Sequence, residues 1–500
     1  MKIAVLVSSY ERSSSPFRDL DSIPDPSCWM PEHQWERCLI DKATAVRQVR
    51  DLARRGFDAF VCFCDATTEE DRAGVEVVIE LERLGAAYTG ADPHFFEPTR
   101  LAMKLICPDV GVDTPRYVFA ESDADATLAA EYLHFPLLVK HPNSYGSLGL
   151  AAADRVEGPA DLRSRVALKI AEFGGALIEE FVEGKEFSVL VAEPADGESE
   201  PKAWTPVEVV FPPGESFAHF DLKWRDQELV RTVPVVEPAL AERLKHAARQ
   251  VFLGFKAVGY ARYDLRMDGA GRLHMLDVNP NPCVFYPPGN LGRADVILSH
   301  SPGGHLAFLQ HILNSGLRRR EQRRPRWRLK YHPLTGFGMV AARDLQPGER
   351  IVINEEVPRR LVTRQYVERH WPDWEKAVFA QAAVPFSENV FRIWNENPEE
   401  WWPINHSCDP NAVFSGLDII ARRPIPKGEP ITIEYATFCG PFLSEFTCRC
   451  GAATCRGIVR GTDSLAPWLE ERYGHSITDY VRTIRARAAV GSDRERSESD

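Results

Sequence analysis

The sequence has no apolar run approaching the ~18 residues that a membrane span needs. Its first apolar stretch, residues 3–7, is too short for a signal-peptide core and reads as a buried first strand. Positive charge is also in short supply. The net charge of −12 argues against a dedicated nucleic-acid binder, whose affinity would rest on neutralising phosphates. A disulfide framework is missing too, because eleven cysteines, an odd number, are scattered over 500 residues. No Gly-x-Gly-x-x-Gly follows the first strand, which speaks against a dinucleotide site. Long low-complexity tracts are absent, and 44% hydrophobic content indicates a globular chain with room for about three domains. A cytoplasmic chain with no membrane partner is expected.

What is present begins as alternating strand and helix. A strand at residues 2–7 precedes a polar, Pro-rich stretch and a helical pattern over 41–55, with Ala45, Val46, Val49, Leu52 and Ala53 on one face. A strand at 59–64 and a helix from about 69 to 84 follow, which implies a parallel sheet covered on both faces. Further on, the strand Phe135-Pro136-Leu137-Leu138-Val139-Lys140 runs into the Gly/Ser loop Asn143-Ser144-Tyr145-Gly146-Ser147-Leu148-Gly149. Such a loop can wrap phosphate with backbone N–H groups. Residues 260–267 and 276–282 form a hairpin about the turn Asp268-Gly269-Ala270-Gly271. Alternation puts Arg262 and Asp264 on one face and Asp277 and Asn279 likewise. A four-residue turn places Asp264 opposite Met275, with Asp277 as its diagonal neighbour. Two carboxylates and an amide oxygen at one spot suit magnesium that shares substrate phosphates.

The order of these features resembles the ATP-grasp enzymes, most closely the D-alanine–D-alanine ligase branch, over about residues 1–315. The resemblance implies a pre-grasp Rossmann-like α/β domain (1–105), a grasp lid (106–190) and a grasp core (191–315). It implies that Lys104, Lys140 and Ser147 hold ATP phosphates, that Glu179, Glu180 and Val182 form the adenine hinge, and that Glu186 meets the ribose. Lys223 matches a mobile-loop lysine reaching the terminal phosphate. Asp264, Asp277 and Asn279 match the Mg2+ ligands, and Arg262 the arginine that stabilises the developing oxyanion. Glu11, in Glu11-Arg12-x-x-Ser15, would hold a substrate amine. Departures are also clear. The Gly-Gly after strand one is missing, Phe63-Cys64-Asp65-Ala66 replaces a histidine stretch, and His141 is inserted before the phosphate loop. Cys283 stands where the family has a glycine. ATP chemistry is thus expected to be kept and the substrate pockets remodelled, so that the product is not D-alanyl-D-alanine.

Residues 316–328 carry the basic run Leu317-Arg318-Arg319-Arg320-Glu321-Gln322-Arg323-Arg324-Pro325-Arg326, which reads as a solvated helix end and connector, with nucleic-acid contact the lesser alternative. Beyond it, Gly336-Phe337-Gly338, Asn405-His406-Ser407-Cys408-Asp409-Pro410-Asn411, Glu434-Tyr435 and Cys448-x-Cys450-x4-Cys455 occur in order. This succession is similar to the SET-domain lysine methyltransferases with a post-SET tail, over 329–460, and implies a mostly β domain. S-adenosyl-L-methionine would then contact Gly336, Phe337, Gly338, Asn405, His406 and Phe446, with Tyr435 the catalytic tyrosine. Three thiolates are one short of a tetrahedral zinc site. The resemblance makes Cys408 the fourth ligand; free thiols or a disulfide are the alternatives. Cys28, Cys38, Cys62, Cys64, Cys107 and Cys439 read as buried thiols. A helical segment to about residue 490 and a disordered tail over 491–500 complete the chain.

The whole reads as a bifunctional enzyme acting on a small amino-acid or peptide metabolite: carboxylate–amine ligation, then N-methylation. The alternatives are a protein-lysine methyltransferase whose first half recognises its target, and a non-enzymatic nucleotide-sensing scaffold. Small-molecule carboxylate and amine substrates are the expected partners, with a protein lysine and a homodimer left open.

Overall fold

The structure is a computed structural model. It describes all residues except 144–145, 196–197, 334–335, 356–359, 395–401 and 498–500, and, in addition, no side chain of 381 or 490–497. It divides into two compact units, Met1–Arg323 and Arg324–Asp500. Among the described residues no helix is long and apolar enough to cross a membrane.

The first unit opens with a parallel sheet of β1 (Lys2–Ser8), β2 (Gln34–Ile40) and β3 (Ala59–Phe63) in the order β2-β1-β3. Residues 3–8 of β1 are all buried, as a strand covered on both faces requires. β2 escaped the sequence reading because of its residues, Gln-Trp-Glu-Arg-Cys-Leu-Ile, only Ile40 is buried, so no hydrophobic pattern marks it. Helix α1 (Ala45–Arg54) buries Ala45, Val49 and Leu52 at helical spacing. Helix α2 (Val75–Arg83) starts later than the expected residue 69. Gly74 bridges to Ala66, and a Cβ on it would lie 1.9 Å from the Ala66 carbonyl oxygen, so residues 67–73 form a loop of turns and bends instead of helix.

After α3 (Arg100–Asp109) comes an antiparallel sheet. It is built from β4 (Tyr117–Ala120), β5 (Leu137–Lys140), β6 (Arg155–Val156) and β7 (Ala176–Glu180), in the order β4-β7-β5-β6. Helices α4 (Asp123–Tyr132) and α5 (Pro159–Phe173) pack on it. The third sheet runs β11-β10-β8-β12-β13, with β9 (Lys202–Ala203) also paired to β8. Its strands are β8 (Lys185–Ala192), β10 (Val207–Val210), β11 (Arg231–Pro234), β12 (Tyr260–Met267) and β13 (Leu273–Asn279). Between them lie α6 (Phe220–Trp224) and α7 (Pro238–Gly254). Helices α8 (Arg293–Ser299) and α9 (Gly304–Arg323) close the unit.

The β12–β13 register differs from the one expected. The loop holds five residues, with Met267 paired to Leu273, and a bulge between Asp264 and Leu265 leaves Leu276 extra. Asp264 therefore faces Asp277 directly and Arg262 faces Asn279. The basic run, read as a solvated helix end and connector, departs from that reading only in being partly buried. It is helical through Arg323, and Arg319, 6% exposed, donates to the carbonyls of Tyr88 (2.6 Å) and Gly90 (3.1 Å) and pairs with Glu193 at 3.2 Å.

The second unit is built mainly from short strands. Trp327–His332 pairs with Gly336–Ala341, and Arg350–Val352, Asp418–Ala421 and Ala412–Ser415 form an antiparallel sheet. Asn405–His406 lies parallel to Thr432–Ile433. Met339, Ile351, Phe414, Ile419, Ile431 and Phe438 belong to the core. A helix at Pro467–Tyr473 buries Leu469 and Tyr473. The final helix spans Asp479–Ser497, so helical backbone covers most of the tail expected to be disordered, and 498–500 lie outside the described residues. Of the six cysteines read as buried thiols, Cys28 is exposed and Cys38 half-buried; the other four are buried.

Candidate active sites

Lys140, Ser147, Glu179, Glu180, Val182 and Glu186 line one cleft of the first unit, with Lys223, Asp264 and Asp277 on its other wall. Glu179, 1% exposed, is ion-paired to both Lys104 and Lys140. Burial alone would raise its pKa, but the two ammonium groups overcome burial and hold it at about 2. Lys104 is itself buried and donates to Thr114 Oγ1 (2.6 Å) and the Pro115 carbonyl (3.1 Å). Glu180 turns its carboxylate to His134 (2.9 Å) and Arg116 (3.3 Å). The Val182 carbonyl accepts from Arg266.

In the Gly/Ser loop, Gly146, Ser147 and Gly149 all have positive φ, +61° to +66°. Ser147 keeps this conformation without being glycine, the kind of local strain that collects at functional loops. Its hydroxyl donates to the Ala218 carbonyl (2.8 Å), and Trp224 Nε1 donates to the Gly146 carbonyl (2.8 Å). The helix carrying Lys223 is thereby fastened to the loop. Ser144 and Tyr145 lie outside the described residues. Burial, then Arg262 and Arg293, push Lys223 down to about 8.

At the edge of the cleft, the Arg262 guanidinium makes two bonds to Asp264, at 3.0 and 2.8 Å. Ser188 adds a third at 2.6 Å, and Arg293 stands 3.7 Å away. Burial would raise the Asp264 pKa, yet the two guanidinium groups keep it well below the usual carboxylate range. Asp277 meets Arg100 at 3.4 Å, and the Asn279 side-chain oxygen accepts from the Asn281 N–H. Both carboxylates and the amide oxygen share one sheet face through the opposed pairs 264/277 and 262/279. Two carboxylates on the cleft lining with an adjacent amide oxygen fit the donor set of a hard divalent cation. Glu186 is paired with Arg266 (3.1 Å) and Arg293 (3.4 Å). Glu11 lies at the exposed rim of a separate cavity after β1.

In the second unit, a Cβ on Gly338 would sit 2.4 Å from Asn405 Nδ2, so a side chain there would displace the Asn405 amide. Gly336 has φ +71°, and Phe337, 60% exposed, stacks edge-on against Tyr331. Pairing of Asn405–His406 with Thr432–Ile433 brings Tyr435 beside His406, ring centroids 5.3 Å apart, with Phe446 5.9 Å from Tyr435. The Tyr435 hydroxyl donates to the Ile404 carbonyl (2.9 Å), and burial pushes its pKa up, so it stays protonated. Phe337, Trp402, Asn405, Tyr435, Phe438 and Phe442 line a cavity of about 410 Å³. Beside it, the sulfur atoms of Cys408, Cys448, Cys450 and Cys455 all lie within 4.8 Å of one another, with Cys408 and Cys448 3.9 Å apart. Zn–S bonds of ~2.3 Å in a tetrahedron put sulfurs ~3.8 Å apart, so the four thiols fit zinc.

Several site residues were not read from the sequence. Glu434, fully buried, takes two bonds from Arg456 (2.8 and 2.9 Å), which ties the cysteine tail to the residue before Tyr435. Arg100 and Arg293 approach Asp277 and Asp264 from distant segments and leave no local signal. Arg266 could have been found, because Arg262, Asp264 and Arg266 alternate on a strand that is otherwise apolar.

Two family models match the chain: "D-ala D-ala ligase C-terminus" over residues 106–285 and "SET domain" over residues 336–436. An uncharacterized protein of Sinorhizobium fredii, y4sG, is 30% identical over 211 residues, covering 40% of this chain and 59% of that protein. A D-alanine–D-alanine ligase of Stutzerimonas stutzeri is 29% identical over 205 residues, covering 40% of this chain and 62% of the ligase. The chain therefore spans about 60% of the length of these relatives. The solved D-alanine–D-alanine ligase from Bacillus anthracis is 17% identical with a TM-score of 0.48, covering 64% of this chain and 99% of that one.

Proposed function

We propose that this chain, a D-alanine–D-alanine-ligase-type ATP-grasp region followed by a SET domain, joins a small carboxylate to an amine at the expense of ATP and methylates a nitrogen of the same metabolite. The observation that carries the first half is the convergence of Lys140, Lys223, Asp264 and Asp277 on one cleft. A carboxylate is a poor acyl donor. Its oxygen attacks the terminal phosphorus of ATP, ADP leaves, and an acyl phosphate results. The amine then adds to the acyl carbon, phosphate departs, and an amide remains. Lys140 and Lys223 hold the phosphates, and Arg262 meets the charge on the tetrahedral oxygen. Magnesium, held by Asp264, Asp277 and Asn279, would supply charge neutralisation at the phosphates.

In the second unit, Gly336, Gly338, Asn405, His406 and Phe446 hold S-adenosylmethionine. Tyr435 orients the neutral amine for in-line attack on the sulfonium methyl, and S-adenosylhomocysteine leaves. Cys408, Cys448, Cys450 and Cys455 would hold one zinc, which would fix the tail and suits a reducing, cytoplasmic setting. The ligase half is tested by Asp277→Ala: ADP release with ATP, Mg2+, carboxylate and amine should be abolished. Near-normal turnover in the variant would refute the metal assignment.

A further inference from the structure

A cavity of about 450 Å³ opens beside residues 281–286, directly after β13, and reaches back to the segment following β1. Leu39, Phe63 and Val284 supply apolar wall. The polar lining is unusual in its charge balance. Asp21 accepts the hydroxyls of Tyr10 (2.6 Å) and Tyr286. Arg72, 2% exposed, is held by Asp65 (2.9 Å) and Glu70 (2.9 Å) and lies over the Tyr10 ring at 4.8 Å. On the lining, the Arg72 guanidinium thus stands with the carboxylates of Asp21 and Asp65, and its other partner, Glu70, lies off the lining.

Among the described lining residues, the carboxylates of Glu11, Asp21 and Asp65 stand against the guanidinium groups of Arg18 and Arg72, with the Lys223 ammonium near Cys283. The Cys283 thiol is pushed up to about 11 by burial and by Asp21, so it stays neutral, and the Tyr10 and Tyr286 phenols are raised further. Glu11 and Arg18, exposed at the mouth, cancel each other. Asp65 keeps 25% of its side chain exposed, and its Oδ2 accepts no hydrogen bond from a described residue. A second observation is independent of charge. Tyr260, 3% exposed and also on the lining, has a hydroxyl with no hydrogen-bond partner among the described residues. Buried hydroxyls and carboxylates are nearly always partnered.

We propose that this cavity seats the carboxylate substrate by a cationic nitrogen, an ammonium or guanidinium group remote from the reacting carboxylate, placed against Asp21 and Asp65. That the ligand is the acyl donor rests on the ligase reading; that it is cationic rests on the cavity. The volume is far more than a bare ion fills, and both Asp21 oxygens already take phenolic donors, which favours an organic cation over a metal. Burial, with Asp21 and Glu70, raises Asp65 to about 6 against the pull of Arg72, as expected where negative charge is under-compensated.

The test is calorimetric titration of the full chain with arginine and lysine, each as D and L forms, against the neutral isosteres citrulline and norleucine. At least one cationic form should bind ten-fold or more tighter than its neutral isostere. Asp65→Asn and, separately, Asp21→Asn should each erase that preference while the unfolding transition stays cooperative. Equal binding of neutral isosteres, no binding of either series, or a preference that survives both substitutions would overturn the proposal. ADP release measured in parallel keeps the two readings apart. Cation-selective binding with no ADP release from any amine sinks the ligase reading alone. ADP release preferring neutral carboxylates sinks the cation site alone.

Discussion

At the residue scale, Lys223 makes the cleft of the first unit titratable. Burial and the neighbouring Arg262 and Arg293 bring its ammonium down to about 8. Below that value it is charged and attracts phosphate; above it the charge is lost. The KM for ATP should therefore rise as pH climbs past about 8, with the bound phosphates shifting the break somewhat higher. Lys223→Met should remove this limb of the profile. A pH-independent KM in the native protein would show that Lys223 does not meet the phosphates. Glu179 offers a complementary test. It lies 1% exposed between two lysines, and Glu179→Gln leaves Lys104 and Lys140 without their counter-ion. Stripping one partner from a buried ion pair costs about 3–5 kcal/mol, so the denaturation midpoint should fall by a corresponding amount. An unchanged midpoint would contradict the reading of Glu179 as the structural clamp of both lysines. The family resemblance had given Glu179 to the adenine hinge. Its pairing with both lysines was hidden because residues 104, 140 and 179 lie on α3, β5 and β7, and only the folded sheet brings them together.

At the scale of elements, the β12–β13 hairpin shows where alternation stops being a guide. Period-two alternation placed Arg262 and Asp264 on one face, and they are in contact there. The register could not be read, because a five-residue loop and a bulge each shift the pairing by one. Charged residues on the strand mark the site face, but nothing in the local sequence marks Leu276 as extra. β2 failed for a different reason: it is a half-exposed strand with mixed side chains, in a position where topology rather than pattern makes it a strand. The cysteine tail was legible because ligand spacing is local, and the structure adds what it is tied to. Through Arg456, the tail reaches Glu434, one residue before Tyr435. Elemental analysis should find one zinc per chain, and Cys455→Ser should lose it and weaken S-adenosylmethionine binding as the Arg456 clamp loosens. Stoichiometric absence of zinc from fully active protein would sink this assignment.

At the scale of the whole molecule, two units divide at Arg323–Arg324, each with its own core and its own cavity at the predicted chemistry. Joining two sites in one chain raises the effective concentration of the second for what the first releases, provided that release is toward it. That gain has a purpose only if the methyl acceptor is a substrate or product of the ligation. The central claim is tested by mass spectrometry of small molecules made by the full chain with ATP, Mg2+, S-adenosylmethionine, carboxylate and amine. The native protein should yield the methylated amide, Tyr435→Phe the amide without its methyl group, and Arg262→Ala no amide. Methyl transfer confined to a protein lysine, with neither ligase substrate nor amide accepting a methyl group, would contradict the single-metabolite account.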